Sequence, residues 1–180
     1  MNHLKEKLQN GLKELLIIIT IVLLLNSFIS LTIVSGESMQ PTLESGNVVL
    51  LEKVSKYERG DIISFSSHLK ISELDLKKLN RIQRIFIKSG SSKNLIKRII
   101  GLPGDQIQIQ MGKIYVNGII LDEPYIAVPD HDSLENIVVP EGKYFVLGDN
   151  RTNSLDSRSS SVGLIDDKEI IGKLLIRVIE

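Results

Sequence analysis

The chain has 180 residues, of which 22 are basic and 22 acidic, so its formal net charge at neutral pH is zero. This balance gives no electrostatic argument for a nucleic-acid partner. There is no cysteine, which excludes disulfide bonds, thiolate metal sites and cysteine nucleophiles. The three histidines, His3, His68 and His131, lack the spacing of a metal-binding motif, and we therefore predict no metal site.

An uncharged run near the N-terminus predicts a membrane anchor. Residues 15–36 contain no charged side chain. A helix over residues 15–34 would be about 30 Å long, which is the thickness of the apolar core of a bilayer. A cleaved secretory signal is the alternative, although the run is longer than the apolar part of such a signal and lacks a clear cleavage motif.

The lysines before this run predict its orientation. Lys5, Lys7 and Lys13 lie on the N-terminal side and favour a cytoplasmic N-terminus by the positive-inside rule. We therefore expect a single-pass protein with residues 1–14 in the cytoplasm. Residues 35–180 would form one domain on the outer side of the cell membrane, long enough for a core of its own.

The remainder of the chain predicts a mainly β fold, because short apolar runs alternate with turn signals. Within one of these runs, isoleucines alternate with glutamines, as in a half-buried strand that continues to Met111. Asn117 and Gly118 separate two apolar runs and predict a type I′ hairpin. The predicted strands are 48–51, 60–65, 96–100, 107–111, 114–116, 119–121, 144–147 and 170–178.

One segment, residues 66–94, departs from the β pattern. From Ile71 to Phe86 the apolar side chains recur mostly every three or four residues, which predicts a helix. The segment carries seven basic residues against two acidic ones, a net charge of +5. This short helical insert either packs on the sheet as an ordinary surface helix or lies on anionic lipid headgroups.

Ser38 follows the predicted anchor closely and precedes Pro41 in a turn. A serine needs a nearby base to become a nucleophile. The residues around Ser38 do not form the Gly-x-Ser-x-Gly elbow, because Gln40 replaces the second glycine. Lys97 lies in an apolar strand, where loss of hydration would lower its pKa and let it accept a proton. Periodicity alone, however, favours a lysine on the solvated face of that strand.

Four motifs, in order behind the apolar run, resemble those of bacterial type I signal peptidases. They are Ser38-Met39-Gln40-Pro41-Thr42-Leu43, Gly60-Asp61-Ile62-Ile63-Ser64-Phe65, Lys97-Arg98-Ile99-Ile100-Gly101-Leu102-Pro103-Gly104-Asp105, and Gly148-Asp149-Asn150-Arg151-Thr152-Asn153-Ser154-Leu155-Asp156-Ser157-Arg158. The resemblance extends over nearly the whole chain except the insert. It implies a β-rich, membrane-anchored serine endopeptidase that uses a Ser/Lys dyad to cut signal peptides from exported preproteins, with no cofactor.

The resemblance also implies a role for each matching residue. Ser38 would be the nucleophile, Lys97 the general base, and Ser154 the serine that hydrogen-bonds to the lysine and orients it. The backbone N–H of Ser38 would supply one oxyanion donor. Gly36 stands where some relatives have a serine hydroxyl as the second donor, which leaves that donor undetermined.

Two further groups of residues follow from the same resemblance. Substrate-binding positions, which equally fit plain core packing, are Val34, Met39, Leu43 and Ile96. Charged residues expected to support the site structurally are Arg98, Asp149, Asp156 and Arg158.

The expected partners are exported preproteins and the lipid bilayer, and no nucleic acid. Three alternatives remain open at this point. They are an inactive relative that serves as an assembly factor, a self-cleaving repressor that would need a DNA-binding module, and a peptidase specialised for a narrow set of clients.

Overall fold

The computed structural model describes residues 2–53, 56–77, 89–128 and 130–179. This part of the chain is mainly β, as predicted. Its α-helices are α1 (Asn2–Phe28) and α2 (Glu73–Lys77). Its strands are β1 (Ile29–Ile33), β2 (Val48–Glu52), β3 (Ile62–Lys70), β4 (Ser92–Gly101), β5 (Gln106–Gln110), β6 (Lys113–Val116), β7 (Ile119–Ile120), β8 (Leu134–Val138), β9 (Lys143–Leu147), β10 (Ile165–Asp166) and β11 (Ile170–Ile179).

The strands form two antiparallel sheets. The larger sheet has the order β1-β2-β11-β3-β4-β9-β10, and the smaller one has the order β7-β6-β5-β8. A buried cluster of side chains from β4, β5, β6 and β9 joins the sheets, with Ile100, Ile107 and Phe145 fully buried in it. β4 therefore lies both in the larger sheet and against the smaller one, which makes it a rigid place for a functional side chain.

The predicted anchor, residues 15–34, is only partly helical. α1 ends at Phe28, and the next five residues pair with β2 from Ile29↔Glu52 to Ile33↔Val48. Hydropathy alone did not separate the two elements, because the apolar residues of a strand and of a longer helix give the same uninterrupted apolar run. Among the described residues, no helix is both long enough and apolar enough for a membrane span.

The β5–β6–β7 region confirms one prediction and corrects another. Asn117 and Gly118 have φ angles of 54° and 79°, the positive values that a type I′ turn requires at both central positions. Met111, predicted to continue the half-buried strand, is instead 80% exposed. The reason is that Gln110 pairs with Lys113, so Met111 lies in the two-residue turn between β5 and β6.

The insert at residues 66–94 is shorter than predicted, because the flanking strands extend into it. Ser66 pairs with Asn94, and Lys70 pairs with Ser92. Between these strands the structure describes one short helix, α2. The rest of the predicted amphipathic helix, residues 78–88, lies outside the described residues.

Candidate active site

Ser38 lies in the loop between β1 and β2. Backbone hydrogen bonds close this loop: Val34 N–H donates to Asn47 O at 2.9 Å, and Leu43 N–H donates to Met39 O at 2.9 Å. Met39 and Leu43 are almost fully buried beneath the loop. The loop is therefore anchored by its own apolar side chains, while Ser38 itself is only half-buried.

Lys97 lies on β4 and reaches the same point from another part of the chain. Its Nζ donates to Ser38 Oγ at 2.8 Å and to Ile96 O at 2.9 Å. The side chain is almost entirely enclosed, since Lys97 is 2% exposed. Ser38 precedes β2, which belongs to the same sheet as β4 with β11 and β3 between them, so the fold brings together two residues that are 59 positions apart.

The surroundings of Lys97 change its acidity. Burial lowers the pKa of Lys97 to about 8, although the negative charges of Asp156 and Asp149 oppose this shift. Near that pH, a substantial fraction of the lysine carries no charge. A neutral amine within hydrogen-bonding distance of a serine hydroxyl can accept its proton.

Ser154 approaches the site but makes none of the hydrogen bonds predicted for it. Its Oγ is buried and has no hydrogen-bond partner among the described residues. The Oγ packs instead against Gly148, so closely that a Cβ on Gly148 would collide with it. The predicted hydrogen bond to Lys97 is therefore absent, and the orienting role of Ser154 stays a prediction.

A loop of residues 148–153 holds the backbone on either side of the Ser38 peptide. Asn150 N–H donates to Ser38 O at 3.0 Å, and Asn150 Nδ2 donates to Glu37 O at 3.2 Å. Asn153 Nδ2 donates to the Glu37 carboxylate at 3.2 Å. Asn150 belongs to a motif that the sequence singled out, but its pattern there carried no signal for this contact.

Arg98 and Asp149 form a buried ion pair directly behind the site. Arg98 Nε and Nη2 donate to the two carboxylate oxygens of Asp149 at 2.8 and 2.6 Å. Thr42 Oγ1 also donates to Asp149, and Arg98 Nη1 donates to Gly60 O at 2.7 Å. Since these bonds connect β4, the Ser38 loop and the loop after β9, the pair fixes three elements relative to one another.

Asp156 and Arg158 form a second ion pair on the other side of the same loop. Asp156 accepts from Gly148 N–H at 3.1 Å and from Arg158 Nε at 2.8 Å. Arg158 also donates to Asp130, Asp132 and the carbonyl of Arg151. All four charged residues predicted to support the site thus hydrogen-bond to the loops around it, and their supporting role stays a prediction.

The predicted substrate-binding residues lie close to Ser38 but mostly in the core. Val34, Met39 and Leu43 belong to one buried cluster, and Ile96 packs against that cluster from β4. Gly36 is exposed, and its N–H donates to Ser45 Oγ at 3.3 Å. Their role in binding substrate stays a prediction.

In the described part of the chain, no cluster of acidic or histidine side chains is suited to hold a metal ion.

A family model and individual known proteins that are similar to this chain all point to the same family. The family model described as "Signal peptidase, peptidase S26" matches residues 8–179. Signal peptidase I S of Bacillus subtilis is 34% identical, and the match covers 93% of this chain and 87% of that protein. Signal peptidase I of Bacillus licheniformis is also 34% identical, and the match covers 93% of this chain and 87% of that protein.

Two further matches are less complete. Probable signal peptidase I-2 of Synechocystis is 36% identical over 148 residues, which cover 80% of this chain and 60% of that protein. A crystal structure of a signal peptidase I from Enterococcus faecalis is 29% identical and covers 68% of this chain and all of its own, with a TM-score of 0.48.

Proposed function

Because this chain belongs to the signal peptidase family, peptidase S26, and is therefore a serine peptidase that removes signal peptides, we propose that Ser38 and Lys97 are its catalytic dyad. The observation that carries the proposal is the 2.8 Å hydrogen bond between Lys97 Nζ and Ser38 Oγ. It joins a nucleophile to a base whose pKa burial lowers to about 8. The substrates would be exported preproteins.

The geometry supports an acyl-transfer sequence in two halves. Neutral Lys97 takes the proton of Ser38 as its Oγ attacks the scissile carbonyl, and the protonated amine then returns that proton to the leaving amine. Water, activated in the same way, hydrolyses the acyl-enzyme. The backbone N–H of Ser38 would stabilise the oxyanion.

The substrate would bind as an added β-strand whose alternate side chains enter shallow pockets. The apolar side chains under the Ser38 loop, Val34, Met39, Leu43 and Ile96, would form the floor of these pockets. Because three of the four are almost fully buried, we expect any pocket above them to be shallow and to accept only small side chains at the first and third positions before the cut.

The test is cleavage of a purified preprotein, followed by N-terminal sequencing of the product. Ser38→Ala and Lys97→Ala should each abolish cleavage at the signal-peptide junction. Ser35→Ala and Lys70→Ala are matched controls, since both residues are exposed, and these variants should cleave normally. Turnover by either dyad variant, or a product cut elsewhere in the preprotein, would refute the proposal.

We also propose that the enzyme works at the cell membrane, with residues 1–14 in the cytoplasm and the catalytic domain, which begins with β1, on the outer side. The support is the uncharged run over residues 15–36 and the exposed apolar side chains on α1, β1 and β11. These side chains include Leu16, Ile18 and Leu23 on α1, Leu31 on β1, and Ile176 and Val178 on β11.

This location is tested in bacterial cells that express the full chain. The protein should sediment with membranes and resist extraction by alkaline carbonate. Protease added to spheroplasts should digest the catalytic domain and spare a tag at the N-terminus. Recovery of the protein in the soluble fraction, or a protected catalytic domain, would contradict the proposed location.

A further inference from the structure

A short segment after β7, residues 121–126, contains none of the predicted site residues and lies against Arg98 and Arg151. We infer that two of its side chains, Tyr125 and Glu123, are positioning residues for the Ser38–Lys97 dyad. This inference rests on the proposed function. It concerns how the nucleophile is held in place rather than which groups react.

Tyr125 packs on the arginine of the ion pair behind the site. The guanidinium carbon of Arg98 lies 4.0 Å from the centre of the Tyr125 ring, which is the distance of a cation–π contact. The Tyr125 hydroxyl donates to Glu123 Oε1 at 2.8 Å. Burial raises the pKa of Tyr125, so the hydroxyl stays protonated and keeps this bond. Tyr125 therefore restrains the plane in which Arg98 meets Asp149.

Glu123 holds a second arginine in place. Its carboxylate accepts from Arg151 Nη2 at 2.5 Å and from Arg151 Nη1 at 3.1 Å. The side chains of Glu123 and Arg151 are 9% and 2% exposed, so this ion pair is largely screened from solvent. Arg151 Nε then donates to Gly148 O at 3.0 Å.

The two sets of contacts reach consecutive residues of one loop. Tyr125 contacts Arg98, which binds Asp149. Glu123 binds Arg151, which donates to the carbonyl of Gly148. The next residue, Asn150, donates its N–H to the carbonyl of Ser38. The segment thus braces the loop that hydrogen-bonds to the peptide group of Ser38.

Such bracing matters because catalysis is sensitive to small displacements. A nucleophile held within hydrogen-bonding distance of its base loses rate steeply when the supporting backbone shifts by a fraction of an ångström. Loosening Asp149 or Gly148 would disturb the Ser38–Lys97 distance without removing either group. The expected signature is a lower kcat with a nearly unchanged KM.

The first experiment replaces Tyr125 and follows cleavage of a preprotein by the full chain. Tyr125→Leu, which removes the ring, should lower kcat about tenfold and change KM less than about twofold. Tyr125→Phe, which keeps the ring over Arg98, should restore most of kcat. The matched control is Tyr144→Leu, because Tyr144 makes its ring contact with Tyr57, and this variant should keep a normal kcat.

A double-mutant cycle then tests whether Tyr125 acts through Arg98. In an Arg98→Lys background, where the flat guanidinium is lost, Tyr125→Leu should lower kcat by less than about twofold. A role in general stability would give the same factor in both backgrounds. Equal factors would therefore overturn the inference for Tyr125.

Glu123 is tested in the same way. Glu123→Gln, which removes the charge facing Arg151, should lower kcat several-fold, while Glu141→Gln at an exposed position should have no effect. Normal kcat in both Tyr125→Leu and Glu123→Gln would overturn the inference and leave the dyad intact. Activity in Ser38→Ala or Lys97→Ala would instead overturn the proposed function, so the two failures are distinguishable.

Discussion

The backbone N–H of Asn150 donates to the carbonyl oxygen of Ser38 at 3.0 Å. This bond joins the loop after β9 to the loop after β1, so the position of Ser38 depends on a segment more than 100 residues away in the chain. The close approach is possible because Gly148 has no side chain at the contact.

We therefore expect Gly148→Ala to damage the site directly. A Cβ at this position would lie 2.5 Å from Ser38 O and would also collide with Ser154 Oγ, so the loops must separate. Overpacking of this kind costs about 1–3 kcal/mol of the free energy of unfolding, and kcat should fall at least tenfold (~1.4 kcal/mol) because Ser38 moves. The control is Gly11→Ala, where nothing lies within 4 Å of the new methyl group. A fully active Gly148→Ala variant would contradict this account.

Activity should rise with pH because Lys97, as the proposed base, must be neutral to accept the serine proton. With a pKa lowered by burial to about 8, the acidic limb of kcat/KM should have its midpoint near pH 8. Asp156 raises the pKa of Lys97, so Asp156→Asn should move the limb to lower pH. The measurement is the initial rate of preprotein cleavage between pH 6 and 10 (a range of about two units on each side of the midpoint). A rate independent of pH would exclude Lys97 as the base.

The same shift predicts that Lys97 reduces stability at neutral pH. Its pKa is 10.5 when unfolded and about 8 when folded, so between these values the unfolded chain holds a proton that the folded protein lacks. The free energy of unfolding therefore rises with pH across this window, and the destabilisation is greatest below it. Lys97→Met should stabilise the protein at pH 7 by up to about 3 kcal/mol, and the gain should vanish near pH 10.5.

Denaturant unfolding at several pH values checks this prediction. Lys70→Met, at an exposed position on β3, is the control and should stay within about 0.5 kcal/mol of the parent at every pH. If Lys97→Met were less stable than the parent at pH 7, the buried amine would not carry the expected cost.

Ser154→Ala should separate catalysis from stability. The Ser154 hydroxyl has no hydrogen-bond partner in the described residues, so its removal should change the free energy of unfolding by less than about 1 kcal/mol. If Ser154 orients Lys97 during the reaction, kcat should fall about 10- to 100-fold. The contrasting variant is Ser157→Ala, which removes the buried bond from Val146 N–H to Ser157 Oγ and should cost about 1–3 kcal/mol of stability. Unchanged kcat in Ser154→Ala would remove Ser154 from the mechanism.

Asp149→Ala should destabilise the protein far more than a similar change at the surface. It leaves the guanidinium of Arg98, whose side chain is 11% exposed, without its carboxylate, and breaking such a buried pair costs about 3–5 kcal/mol. The surface control is Lys143→Ala, which breaks the well-exposed, 3.6 Å Lys143–Asp166 pair and leaves intact the hydrogen bond from Lys168 N–H to Asp166; such surface pairs contribute about 0–1 kcal/mol. Similar losses in the two variants would show that the Arg98–Asp149 pair has no special structural role.

Local features of the fold were predictable wherever neighbouring residues decide the conformation. The Asn117-Gly118 turn and the apolar runs of β2, β4, β5 and β9 are of this kind. β1 was missed because its apolar residues continue the run of α1 without a break, and only pairing with β2 separates strand from helix. β8 was missed because its exposed polar residues hide the alternation.

Residue types and their order along the chain determined which groups could react: Ser38, shortly before Pro41, and Lys97, in an apolar strand. They also determined the family to which the chain belongs. Only the tertiary structure decided that Lys97 is enclosed and touches Ser38, that Ser154 turns toward Gly148, and that Tyr125 covers Arg98. The physical reason is that burial and contact between distant segments arise from strand pairing and packing, whereas periodicity along one strand cannot distinguish a solvated lysine from a buried one.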